Sequence, residues 1–437
     1  MSYVSRLMQD WKAWVLLVVL YLSVHYEALC NSFWLLNKAV TPRTSIIYVI
    51  AGLVIAILPM FRLPAVQYRW SDSFGSWYNT IVVALKWGLF AAGTWWWIQA
   101  GGRIIAAHPL DFHQADMMPI IRAMCQRFIQ GVTIYEPIPE VWGGIMPIYL
   151  PAMWVPFVPF ELAGLDIRWG TVAGVVLGML AVVRIVPSIK GSHTWWLLLV
   201  FIPAFNLSES IFAEIVARFI RFSEEGVVVG WYMFLGYALT RKNPLLQAVA
   251  ITGCLLSRYS LLFWVPVYVI YMFLFQSRKQ SYWLAGGITV LMLVCFLIPW
   301  GFENLDFFLS IPGEYPDFAR RNRMIDPAYA HINLGLSKFF ADSQIDLLFD
   351  LQLYGSLLTP VLLLGLFAWA RKKNWFDPDF FALGSLKATL VVFYNLIVVP
   401  VEYLFYVNTF LSLAIWVYYV KRKLMDPPEH KAVSAVT

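Results

Sequence analysis

The run "LAGGITVLMLVCFLIPW" at 284–300 holds seventeen residues without one charge. A helix of that length spans about 25 Å, close to the ~30 Å of hydrocarbon in a bilayer. Inside lipid every backbone N–H and C=O must find a partner within the protein, which restricts a spanning segment to a helix or a closed barrel strand. Comparable runs, such as "AWVLLVVLYL" at 13–22, recur along nearly the whole chain. With 60% of the 437 residues hydrophobic and 13% charged, no long soluble domain can be cut out. The sequence reads as an all-α membrane protein forming one embedded unit over 1–437.

Apolar windows predict about twelve transmembrane helices, at 13–34, 45–60, 80–103, 169–186, 194–208, 226–240, 244–257, 260–276, 283–300, 353–370, 380–400 and 403–420. Basic clusters then fall on one side: Arg62 and Arg69, Arg184 and Lys190, Arg241 and Lys242, Arg278 and Lys279, Arg371 to Lys373, and Lys421 to Lys423. The positive-inside bias makes that side the cytoplasm, with both termini and a short tail at 424–437. The N-terminal run lacks a small-residue cleavage site, so it reads as a retained first helix. The formal charge of +6 is accounted for by these span ends, where anionic lipid favours Lys and Arg, and nothing reads nucleic acid. The scattered Cys30, Cys125, Cys254 and Cys295 match neither a disulfide framework nor zinc spacing, and read as packing residues.

The polar residues collect on the other face, in the outer regions 104–168, 206–225 and 301–352. Within the first, "GGIMPIYLPAMWVPFVPFELAG" at 143–164 carries four prolines, each of which removes a backbone donor from a helix interior. It is expected as a short interfacial element that does not cross. After Asp116, apolar residues at 117, 121, 124 and 128 recur at helical spacing, while Arg122, Gln126, Arg127 and Gln130 take other angles. Gly131 stands where such a helix would stop. This predicts an amphipathic helix lying on the bilayer, with Asp116 as its N-cap, a role that does not exclude catalysis.

The stretch "ADMMPIIRAMCQRFIQGVTIYEPI", followed by "WGGIMPIYLPAMWVPF" and "GLDIRWG", resembles the first outer loop of the GT-C class of membrane glycosyltransferases, in particular its polyprenyl-phosphate-sugar-dependent, mannosyltransferase-like branch. In that class an aspartate opens an amphipathic helix ending near Gly and Tyr, here Gly131 and Tyr135. A Pro-rich segment with Tyr follows, here Tyr149 and Pro151, and then an Arg before the next span, here Arg168. The later stretch "FSEEGVVVGWYMFLGYALTRKNPLLQAVAITGCLLSRYSLLFWVP" is similar in layout to the paired helices of the class that end in a basic residue near the outer surface. The motif-like part covers about fifty residues.

The resemblance implies inverting transfer of a hexose, mannose among the candidates, from a polyprenyl-phosphate carrier to an acceptor hydroxyl on a glycolipid, polysaccharide or protein. The setting would be a bacterial cytoplasmic membrane, with the site facing the periplasm. Asp116 would be the general base, with Asp111 as the alternative base, a supporting partner or a solvated loop residue. The departing lipid phosphate needs a cation. Arg258, alone in an apolar stretch, fits that role or that of a snorkelling arginine. Arg320, Arg321, Arg323 and His331 in the second long loop could close over the phosphate or bind lipid headgroups.

Glu224 and Glu225 read as sugar-facing acids, by position in the related enzymes, or as helix-start acids, with Glu224 the candidate for the site. Glu27, inside the first span, needs a cation from another helix. The acids of "DPD" at 377–379 read as helix caps. No metal is demanded, although some relatives bind a divalent cation through several acids, and Asp111, Asp116 and Glu224 could assemble one. No nucleotide-binding loop or hydrolase elbow occurs. The rival reading is a transporter or flippase of a lipid-linked saccharide.

Overall fold

The computed structural model describes residues 3–35, 40–62, 76–111, 117–141, 144–185, 209–325, 333–373, 375–398 and 402–422. Among these the helices are α1 (Tyr3–Leu35), α2 (Pro42–Ile57), α3 (Ser76–Ala107), α4 (Met117–Gln130), α5 (Pro151–Trp154), α6 (Val158–Leu162), α7 (Trp169–Ile185) and α8 (Glu209–Phe222). They continue with α9 (Glu225–Leu239), α10 (Pro244–Leu255), α11 (Val265–Tyr271), α12 (Arg278–Met292), α13 (Leu305–Ile325), α14 (Ile345–Arg371), α15 (Pro378–Asn395) and α16 (Tyr406–Val420). Only two isolated β-bridges accompany them in the described residues.

Four helical stretches among the described residues are long and apolar enough to cross a bilayer: Pro42–Met60, Tyr259–Gln276, Arg278–Gly301 and Asp342–Arg371. The expectation of about twelve such helices is therefore not met by length and composition. Five further apolar helices are shorter, at 10–17 residues. Val15–Cys30 is the apolar part of the longer α1, whereas α9 and α10 are short because of local chemistry at their ends. Thus α10 is opened by Asn243, whose side chain accepts from the amides of Leu245 and Leu246, and it stops after twelve residues. Twelve residues make about 18 Å of helix, and a hydropathy window reads straight through the turns that bound it. The expected span at 194–208 lies outside the described residues.

Hydrogen bonds place the basic clusters together. Gln247 donates to the carbonyl of Arg241 and accepts from Tyr268, Tyr271 donates to the carbonyl of Pro378, and the amide of Asp377 donates to the carbonyl of Met60. Arg241 also reaches the carbonyl of Arg184. This end carries Arg62, Arg184, Arg241 and Arg371 and is called the basic end below. Asp377 caps α15 there by accepting from the Asp379 amide, as the capping reading of "DPD" requires, and Asp379 pairs with Arg422.

Helices α7 and α9 run side by side in the same direction, from Thr171 beside Ser223 at the polar end to Arg184 beside Arg241 at the basic end. Their contact is made of glycine. A Cβ on Gly174 would strike the carbonyl of Gly226, one on Gly226 the carbonyl of Thr171, and one on Gly230 would lie 2.6 Å from the carbonyl oxygen of Gly174. Small residues four apart let backbones approach until dispersion forces act over the whole length, which matters in lipid, where burial of apolar surface gives little.

The core between α1, α2, α15 and α16 contains one ion pair. Glu27 and Lys387 are both fully buried, with Lys387 Nζ 2.6 Å from Glu27 Oε1. Lys387 donates also to the carbonyl of Asn408 at 2.8 Å, and Ser412 donates to the other Glu27 oxygen. The cation that Glu27 requires thus comes from α15.

Candidate functional site

The polar end is built around α4. Its last turn closes as the sequence anticipates: Gly131 takes φ +68°, its amide donates to the carbonyl of Phe128, and the amide of Val132 donates to that of Arg127. That pair of bonds is the Schellman arrangement, open to glycine because a Cβ disfavours positive φ. Arg127 turns back over the same corner and donates to the carbonyls of Ile134, Glu136 and Pro137. The buried face of α4 is Met118, Ile121, Met124 and Cys125, whereas Phe128, expected on that stripe, lies half-exposed against Trp154 and Trp300.

Beneath α4 the Pro-rich segment forms α5, a 3-10 turn at Val155–Phe157, and α6. At about 1.5 Å per residue the three together cover about 18 Å, too little to cross ~30 Å. The prolines set the first positions of these pieces, where the missing donor costs nothing. Gln126 and Arg122 reach from α4 to Glu161, and buried Trp154 and Phe157 fill the space between. The layer is fastened to the bundle by two bonds, Ala152 amide to the carbonyl of Leu256 and Trp231 Nε1 to that of Ala152.

Leu256 leads directly to Arg258. This arginine follows α10 and precedes a 3-10 turn at Tyr259–Phe263. Its Nη2 lies 3.3 Å from Glu224 Oε1 and also pairs with Glu225 Oε1. Both carboxylates are buried, and the arginine is 22% exposed. The acids arrive there because α8 and α9 meet in a two-residue turn. Ser223 accepts from the Glu225 amide through Oγ, while its carbonyl accepts from Thr171. At the first turn of α9 the carboxylates also meet the positive end of the helix dipole. Behind Arg258, Ser260 bridges the phenols of Tyr232 at 2.8 Å and Tyr394 at 3.2 Å.

Tyr135 and Tyr149 come together on the same side. The Tyr135 hydroxyl donates to the carbonyl of Tyr149 at 3.1 Å and accepts from Trp154 Nε1 at 3.4 Å. Burial pushes its phenol well above the usual range, so it serves as a neutral donor. Arg168 sits elsewhere. It is almost wholly buried, holds Asp166 with two nitrogens at 2.9 and 2.7 Å, and donates to the carbonyls of His108 and Ile105. It clamps the end of α3 to the start of α7.

Burial alone would raise the Asp166 carboxyl, but hydrogen bonds from Arg168 and its charge outweigh this and hold it below the ordinary 3.8. The contribution of the clamp is then complete above about pH 4 and lost as pH falls through the depressed value. Thermal melts in detergent between pH 5 and 3 should show this loss, and Asp166→Asn should remove that part of the pH dependence.

Arg320 pairs with Asp317 at 2.6 Å and with Asp346, tying α13 to α14, and Arg321 is exposed. Asp111 is half-buried just after α3. Asp116, His331 and the side chain of Arg323 lie outside the described residues. Of the expected site residues, the structure therefore gathers Arg258, Glu224, Tyr135 and Tyr149 near the junction of α5, α9 and α10. It holds Arg168 on the carbonyls at the end of α3 and Arg320 in an ion pair between α13 and α14.

Of the two adjacent acids, sequence reasoning put only Glu224 in the site, and the structure sets Glu225 on Arg258 beside it. Sequence reasoning missed Tyr394, which nothing in its local sequence marks. No three His, Cys, Asp or Glu residues gather to hold a metal ion among the described residues, which do not include Asp116. No family model matches the chain, and neither the curated proteins nor the solved structures compared with it give a match.

Proposed function

We propose that this protein is a GT-C-like glycosyltransferase, moving a hexose from a polyprenyl-phosphate carrier to an acceptor hydroxyl on the extracytoplasmic face. The supporting observation is the Arg258 cation, held by two buried carboxylates at the polar end under the α4–α6 layer. In the reaction Asp116, at the opening of α4, takes the proton of the acceptor hydroxyl. The oxygen attacks the anomeric carbon from the side opposite the phosphate, and the glycosyl–phosphate bond breaks with inversion. Arg258 stabilises the charge growing on the departing lipid phosphate, in surroundings where a preorganised donor is worth more than in water. Glu224 and Glu225 position the guanidinium. Tyr135 and Tyr149 border the sugar, and the carrier's tail stays in lipid.

The experiment supplies the purified protein with radiolabelled polyprenyl-phosphate sugars and a membrane extract. Wild type should form labelled product. Asp116→Asn should lose about a hundredfold in turnover, the lower end of the contribution of a general base. No product from any sugar would sink the activity, and an Asn variant as fast as wild type would sink the base.

A further inference from the structure

At the basic end, α10 and α12 part to leave an open groove of about 730 Å³ on the outside of the bundle, lined by Leu245, Lys279, Tyr282, Trp283, Gly286, Gly287 and Val290. Six of these lie on one face of α12, at positions 279, 282, 283, 286, 287 and 290. The floor exists because two of them are glycines. A Cβ on Gly286 would meet nothing within 4 Å, while the Gly287 side rests on Ala248 of α10. Leu245, Tyr282, Trp283 and Val290 are each more than half exposed. The stretch Arg278–Gly301 is also the least buried of the four long apolar stretches, at 17% against 28–44% for the others. This face therefore looks into lipid.

One lining residue is charged. Lys279 is exposed at the basic mouth of the groove, beside Arg278, which stacks over Phe273. Tyr282 and Trp283 stand next along the groove, the residue types that settle at the level of lipid headgroups. A lysine at that level keeps its ammonium at the interface while its stem lies along apolar surface. An apolar trough with an aromatic rim and a cation at its mouth complements a molecule with a hydrocarbon tail and an anionic head. A second copy of this chain docking by a twofold axis would instead bring Lys279 towards its own like charge.

We propose that the α10–α12 groove binds one anionic phospholipid, with Lys279 on its phosphate and an acyl chain laid across Gly286 and Gly287 towards Val290. The site is far from the Arg258 cluster and does not depend on the transfer reading.

The test titrates the full chain in detergent with dioleoyl phosphatidylglycerol or dioleoyl phosphatidylcholine and counts bound lipids by native mass spectrometry. Wild type should hold one phosphatidylglycerol about fivefold more tightly than phosphatidylcholine, the effect of one interfacial lysine. Lys279→Gln should erase the preference. Gly286→Leu, which fills open space and should leave the melting temperature unharmed, should weaken both lipids. Equal binding of the two lipids by wild type overturns the proposal, as does a preference that survives Lys279→Gln. A wild-type dimer that Gly286→Leu converts to monomer would assign the groove to a second copy instead.

Discussion

Lys387→Met is expected to lower the stability of the folded protein by about 3–5 kcal/mol, because it leaves the Glu27 carboxylate buried without its cation. Glu27 and Lys387 have no exposed surface, and the nearest groups able to answer the remaining charge are hydroxyls and amides such as Ser412. Water cannot replace the ammonium there. The double change Glu27→Leu with Lys387→Met should recover most of the loss, since two apolar side chains of similar size remove both charges together. The Asn408 carbonyl, which Lys387 shares with Ser412, keeps the serine as donor in that variant. Thermal melts by circular dichroism in detergent, with gel filtration to exclude aggregates, check the series. A single variant as stable as wild type, or a double variant as damaged as the single, would show that the pair does not hold α1 to α15.

Gly226→Val should cost about 3 kcal/mol, the upper part of the range for overpacking. The added branch would strike the carbonyl and side chain of Thr171 across the α7–α9 contact. Backbone is the obstacle, so no rotamer change relieves it and the helices must separate. Separation also draws Thr171 away from the Ser223 carbonyl and disturbs the turn that presents Glu224 and Glu225 to Arg258. Loss of stability should therefore be accompanied by loss of transfer activity. Gly365→Ala is the control: its Cβ would meet nothing within 4 Å, and within helix α14 the change should gain up to about 1 kcal/mol. The same melts, with turnover measured beside them, decide the matter.

The features readable from sequence were those set by neighbours in the chain. The end of α4 at Gly131 follows from one residue able to adopt positive φ, and the capping role of Asp377 from the Asp-Pro-Asp order. The failure of the Pro-rich segment to form a long helix follows from four missing donors. Glu27 announced that it needed a cation, but not that Lys387 would supply it, because nothing local links α1 to α15. The same holds for Arg168, whose carbonyl partners lie some sixty residues back, at the end of α3 and just beyond it. Its nearer partner, Asp166, stands two residues before it in "GLDIRWG". Among the described residues the expected count of spanning helices is not reached, and for α9 and α10 the reason is related. Hydropathy averages over windows, whereas a helix stops where one side chain caps it or two helices meet in a turn, as at Asn243 and Ser223.

The ion pair also sets a schedule for biosynthesis. Glu27 and Lys387 are 360 residues apart in the chain. At ~5–20 residues per second of synthesis, roughly 20–70 s separate the emergence of the acid from that of its partner. Through that interval α1 must hold Glu27 near the headgroups or against another polar group, because an unpaired carboxylate in hydrocarbon is costly. Helix α1 is thus made long before it can be locked in place, and a ribosome stalled before α15 would leave α1 without its anchor.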